Sequence, residues 1–290
     1  MSDPALELRR PRKLEHILGE GLKAYGRDIR VLLLGAAAVI VPANALVNAD
    51  AFGQGFQEKA DLARQAIDIA LAYLVISPLI AAMAIGVLRA RAEGRAPRFV
   101  DTLRSALDVF APLFLVVLAA LAGIMLGLLA LIVPGIYLAV RWLFVSQTVV
   151  VEDKRGLAAL SRSSELVQGG WWRVAGIALA VNVCALVPSG ILTVPFTLGA
   201  KAADAEALTL IGTMLGQTVA APFVALCTAL LFYDLVAREA GVALPGPQAR
   251  LPAEGWQPPP PLDRIPREPD APEPSERPPD PTGLPPREEG

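Results

Sequence analysis

The sequence predicts an all-α polytopic membrane protein: six transmembrane helices arranged as three helical hairpins, each hairpin preceded by a cytoplasmic interfacial amphipathic helix, and a disordered C-terminal tail. Three observations predict it. Of 290 residues, 54% are hydrophobic and the mean hydropathy is +0.49, which is too apolar for an ordinary soluble domain. The apolar residues gather into runs at about 30–48, 66–88, 109–133, 136–151, 174–197 and 209–233. Most of these reach the roughly 17 to 25 residues that span a hydrocarbon core. The basic residues fall on alternate connections between the runs, the pattern that sets orientation in a bilayer.

Residues 1–30 are charged and lack the basic start, apolar centre and small-residue cleavage site of a secretory signal. Leu14, Ile17, Leu18, Leu22 and Tyr25 share one helical face there, and Lys13, Glu20, Lys23 and Arg27 lie elsewhere, the layout of a helix resting in the interface. His16, the single histidine, sits beside Glu15 on this polar segment and reads as a solvated surface residue. The six-helix domain follows over 31–242. Its weakest run, 136–151, is short and carries Arg141, so a tilted or partly buried helix is expected there, with a re-entrant loop as the alternative. Arg9, Arg10, Arg12, Lys13, Lys23, Arg27 and Arg30 precede the first run. Arg89, Arg91, Arg95, Arg98 and Arg104 follow the second, and Lys154, Arg155, Arg162 and Arg173 follow the fourth. The opposite connections carry Lys59, Arg64 and Lys201. That bias places both termini in the cytoplasm.

The runs also repeat. VIVPAN, LIVPGI and ALVPSG close the first, third and fifth, so Pro42, Pro134 and Pro188 are expected at the outer ends of helices. LEHILGEGLKAY, FVDTLRSALDVF and LAALSRSSELVQ precede the same three. Three copies of one unit, an interfacial helix and a hairpin, account for this order. Ala119, Gly123 and Gly127 form one small-residue ridge, and Gly212, Gly216 and Ala220 another; each is either a packing surface or a set of small residues tolerated in lipid. Pro78 and Pro222 lie inside spans, where they kink helices and free carbonyls. Asn44, Asp68, Asn182 and Gln217 are the polar residues near enough to line a cavity formed that way. From 243 to 290 prolines dominate and acidic residues outnumber basic ones, which predicts a disordered, partly polyproline tail. Its PxxP spacings either follow from proline density alone or offer a docking surface to a protein partner.

The stretch Val133 to Val174 organises the rest. Pro134-Gly135 reads as a sharp helix-breaking corner, and Trp171-Trp172 as a headgroup anchor. Arg141 lies about 9 Å below the corner by helical rise. It can snorkel to the outer headgroups beside Trp142, pair with Asp68 on the second span, or meet a ligand directly.

Composition and motifs exclude several classes. A net charge of -2 gives no global field for nucleic acid. Cys184 and Cys227 sit in apolar runs without CxxC or Cys/His spacing, so neither a metal centre nor a disulfide framework is expected. No phosphate loop, dinucleotide fingerprint, HExxH or GxSxG is present. Asp101, Asp108, Glu152 and Asp153 stand beside arginines and read as salt-bridged surface. Neither enzymatic activity nor a cofactor is expected, and membrane lipids are the expected partners of such a chain.

PGIYLAVRW, then VVVEDKRGLAALSRSSELVQGGWWRV, and later FYDLVAREAG resemble the glycerophosphoryl diester phosphodiesterase membrane-domain family and related bacterial six-helix proteins. The resemblance covers most of residues 1–245, and its motifs lie within 133–174 and 232–241. Gln147 stands where that family often carries a proline. The resemblance implies a bacterial inner-membrane protein. It does not imply hydrolysis, because the catalytic domain's metal-binding carboxylates and histidines have no counterpart in a chain with one histidine. Two function classes then fit: a membrane protein that handles or transports a small or lipidic molecule, and a structural or partner-binding scaffold using its interfacial helices and tail. A carrier requires a polar cavity near the midplane lined by Asn44, Asn182 and Gln217; a scaffold requires a packed apolar centre.

Overall fold

The computed structural model describes residues 14–48 and 62–243. The basic residues before Leu14, Lys59 and the proline-rich tail lie outside them. Chain contacts separate Met1–Leu244 from Pro245–Gly290, and every described residue falls in the first unit.

Eleven helices account for the described residues, and no strand occurs among them. They are α1 (Leu14–Arg27), α2 (Ile29–Val47), α3 (Leu62–Leu71), α4 (Ser77–Ala92), α5 (Phe99–Asp108), α6 (Phe110–Ala130), α7 (Ile132–Arg141), α8 (Val145–Glu152), α9 (Leu157–Val167), α10 (Trp171–Ala203) and α11 (Glu206–Ala243). A π-helical turn, Ala72–Ile76, joins α3 to α4. One residue separates it from Pro78, which cannot donate to the preceding turn. Six stretches are long and apolar enough to cross a membrane: Ile29–Val47, Ala66–Ala92, Phe110–Ala130, Ile132–Glu152, Trp171–Ala203 and Ala207–Gly241.

The three amphipathic segments are the helices α1, α5 and α9. In α1 the inward face differs from the expected one. Ile17, Gly21, Ala24 and Tyr25 are buried while Leu22 is exposed, because α1 packs on α11. A Cβ on Gly21 would lie 2.4 Å from the Cys227 sulfur, and the Tyr25 hydroxyl donates to the Val219 carbonyl at 3.0 Å. That carbonyl neighbours the one that Pro222 deprives of a donor.

Two helices form the centre. In α4 every residue from Pro78 to Leu88 except Gly86 is buried, and in α11 every residue from Ala225 to Leu235 except Thr228. The two pack against each other, with α2 beside both. The Phe144 ring meets Phe232 of α11 at 6.1 Å from the α8 side. By contrast α10 touches chiefly α11 and leaves Leu179, Leu186, Val187, Ile191 and Leu198 exposed.

Both small-residue ridges are packing surfaces. Close approach of α10 to α11 requires Gly216: a Cβ there would lie 2.5 Å from Thr193 Oγ1 and 3.1 Å from the Ser189 carbonyl oxygen. Pro42 and Pro188 lie inside α2 and α10, which corrects their placement at helix ends. Those helices run on past each proline, a tolerance that intramembrane helices gain from neighbours able to satisfy the freed groups.

Candidate functional site

The break before α7 falls at Leu131, whose backbone is extended at φ -164 and ψ 146. Pro134 and Gly135 belong to the first turn of α7, and the corner expected at Pro134-Gly135 is corrected accordingly. A proline costs little there, since the first N–H groups of a helix have no intrahelical partner. Gly135 serves contact. A Cβ built on it would lie 2.4 Å from Leu128 Cγ, and one on Gly127 would lie 3.1 Å from Gly135 Cα. α7 therefore folds back tightly on α6.

The stretch 132–152 then breaks again. α7 stops at Arg141, Trp142 to Phe144 form a turn, and α8 starts at Val145. Backbone groups freed by such a break need partners wherever water is scarce. The fully buried Ser163 of α9 supplies two of them: its hydroxyl donates to the Arg141 carbonyl at 2.8 Å and accepts from the Phe144 N–H at 3.2 Å. The next residue, Ser164, accepts from Trp142 Nε1 at 3.1 Å. The serines of LSRSSE thus lock the broken segment onto α9.

Tyr137 and Arg141, four residues apart, share a face of α7. Arg141 Nη1 donates to the Tyr137 hydroxyl at 2.9 Å, and its guanidinium carbon stands 5.4 Å from the centre of that ring. Trp171, the first residue of α10, stacks on Tyr137 at 6.1 Å and 20°. Its Nε1 donates to the Tyr137 carbonyl at 3.3 Å. Trp172 meets Trp171 edge-on at 4.7 Å. Val133, Ile136, Tyr137, Trp171 and Trp172 line an open, apolar cleft of about 370 Å³.

Several charges elsewhere are paired, whereas Asp101 and Asp108 have no ion pair among the described residues. The nearly buried Asp28, between α1 and α2, takes Arg91 Nε at 3.0 Å and lies 3.5 Å from Arg27. Fully buried Asp234 of α11 meets Arg173 at 2.8 Å and Arg238 at 3.1 Å. Arg162 of α9 meets Glu152 at 2.9 Å and Glu239 at 2.6 Å. The Glu239 and Glu152 carboxylates hold its guanidinium above the ordinary arginine range. Arg89 Nη2 donates to the Val150 carbonyl at 2.9 Å near the end of α8. These contacts tie the starts of α2 and α10 to the ends of α4, α8 and α11. Among the described residues Arg141 has no carboxylate within ion-pair distance.

The sequence-derived residues do not converge on one cavity. Asn44 Nδ2 donates to the Ile40 carbonyl of its own helix at 2.9 Å. Asp68 accepts from Asn48 Nδ2 at 3.2 Å, and the same amide lies 3.2 Å from the Asn44 carbonyl. Asn44 and Asp68 thus share one small cluster at the end of α2. Asn182 is exposed on α10 and donates to the Ala178 carbonyl at 2.8 Å. Gln217 of α11 has a buried Oε1 without a hydrogen-bond partner among the described residues.

The Arg141–Asp68 pair is therefore corrected. Asp68 belongs to the α2 cluster, whereas Arg141 is drawn by α9 and Trp171 to the start of α10. The other sequence-derived reading of Arg141, snorkelling to the headgroups, keeps its geometric premise, since α7 is unbroken from Ile132 to Arg141. Sequence reasoning also passed over Tyr137, Ser163 and Asp234. The first was legible as an i,i+4 partner of Arg141, and Asp234 as an acid in the apolar run LLFYDLV. Ser163 carried no such signal, since its role depends on a break made elsewhere.

A family model described as "Domain of unknown function (DUF7847)" matches residues 67–238, more than half of the chain. No curated protein and no solved structure matches it.

Proposed function

This chain belongs to the DUF7847 family, and from that premise we propose that it is a non-catalytic, multi-pass protein of a bacterial inner membrane that acts as a structural scaffold on which other membrane components dock. The observation that carries this reading is the packed apolar centre of α4 and α11. A carrier needs a hydrated path near the midplane. Asn182 is exposed on α10, Asn44 is occupied within its own helix, and neither meets Gln217. The three units of amphipathic helix and hairpin, with α1, α5 and α9 on the cytoplasmic side and both termini there, complete the proposal. Its support is the arginine bias of the connections and the resemblance to the glycerophosphoryl diester phosphodiesterase membrane-domain family. The exposed faces of the amphipathic helices and the proline-rich tail are the docking surfaces.

Cross-linking in native membranes, followed by purification of the full chain and of a chain ending at Pro245, tests the reading. A protein recovered in stoichiometric amount with the full chain and depleted from the shortened one supports it. Reconstituted protein that moves solute across vesicles without any partner would contradict it.

A further inference from the structure

The aromatic cleft has a composition that scaffolding does not explain. Its walls are apolar, yet one of them, Tyr137, holds the Arg141 guanidinium on its hydroxyl. Arginine offers five N–H donors, of which the described side chains engage one. The Tyr137 hydroxyl accepts from Arg141 and so keeps its own proton to donate. Guanidinium and phenol together present convergent donors of the kind that bind a phosphate diester. Two further facts bear on what brings the phosphate. Trp172 is 84% exposed beside the cleft, and exposed tryptophan at the start of an apolar span marks the headgroup layer. From there α10 continues as an exposed apolar wall through Leu179, Val183 and Leu186. The volume, about 370 Å³, falls in the range of small-molecule pockets, roughly 300 to 1,000 Å³.

We infer that this cleft binds one anionic glycerophospholipid, its phosphate on Arg141 and the Tyr137 hydroxyl and an acyl chain laid over Val133, Ile136 and Trp171. Charge complementarity selects the anionic class. The zwitterionic class carries its own cation, which leaves the uncompensated guanidinium unneutralised. A second copy of this chain or an apolar peptide would cover the walls but leave Arg141 without a counter-ion, at the cost of burying a lone charge. The inference stands apart from the scaffold reading, since a site of this kind serves a carrier equally well.

The test uses the full chain in phosphatidylcholine vesicles, with tryptophan fluorescence quenched by brominated phosphatidylglycerol or brominated phosphatidylcholine. One cationic side chain near the surface should give the anionic lipid about a fivefold advantage in the mole fraction needed for half-quenching. Arg141→Gln should bring the two lipids to equality, Tyr137→Phe should reduce the advantage, and Arg141→Lys should keep most of it. Equal quenching of the wild type by both lipids overturns the proposal whatever the variants do. So does an undiminished advantage in Arg141→Gln. Loss of the advantage on adding inorganic phosphate overturns it in favour of a free-anion site. Should Arg141→Gln fail to insert, Tyr137→Phe and Arg141→Lys decide.

Discussion

Ala66–Ala92 and Trp171–Ala203 are comparably apolar, yet 61% of the first window is buried inside the protein and 17% of the second. α4 reads as a lipid-facing helix and is the core; α10 reads the same way and faces outward along most of its length. In a bilayer the lipid is as apolar as leucine, and helix position follows from packing and polar contacts. The difference between the two is therefore found in what touches them. α4 is enclosed by α2, α5, α8 and α11 and fastened by Arg89 and Arg91. α10 is held along one face by α11 and at its start by Arg173 and Trp171.

The largest effect that would break this contrast lies at the base of α10 and α11. Replacing Arg173 and Arg238 together by leucine takes two cations from the fully buried Asp234, a loss of roughly 3 to 5 kcal/mol. Reversible unfolding in mixed micelles measures it. A double variant as stable as the wild type would show that α10 needs no such fastening. Next, Leu230→Ala in the centre of α11 should cost about 2 kcal/mol, the low end of the core series, because lipid removes the transfer part of the penalty and leaves the packing part. Leu186→Ala on exposed α10 should stay within about 0.5 kcal/mol. Equal losses would erase the distinction between core and periphery.

A smaller effect sharpens the contrast within α10 and α11 themselves. Gly216→Ala drives a methyl group to 2.5 Å from Thr193 Oγ1 and should destabilise by about 1 kcal/mol. Gly176→Ala meets nothing within 4 Å and should be neutral or stabilising, since alanine is the better helix former by up to about 1 kcal/mol. The same unfolding assay ranks the pair, and the reverse order would mean that α10 packs through its other face.

These contrasts also show what a linear reading reaches. The six apolar stretches and the amphipathic α1, α5 and α9 were legible because hydropathy and periodicity are local. Their place in the bundle was not, since α4 and α10 carry the same local signal. Pro42 and Pro188 read as helix ends because proline breaks helices in water. Inside a bundle the freed groups find neighbours, and α2 and α10 run through both. The break at Trp142 carries no glycine or proline; it is held by Ser163 from another helix. Asp68 is taken by Asn48 and Arg141 by Tyr137, so the pair that the sequence suggests does not form. Of the candidate site, the arginine and the tryptophans were visible in the sequence. Their meeting through Tyr137 was not, because it depends on how α7, α9 and α10 pack.

The claim on which the account rests is that the centre is packed and dry. Ala84 of α4 and Ala229 of α11, each 1% exposed, are changed singly to cysteine in a chain whose Cys184 and Cys227 are replaced by alanine. Intact membranes are then treated with a membrane-impermeant thiol reagent, with exposed Ala203 changed to cysteine as the reference. The reference should be labelled, and neither central position should be until the protein is denatured. Labelling of either central cysteine at a rate near the reference would reveal a water-filled path and contradict it.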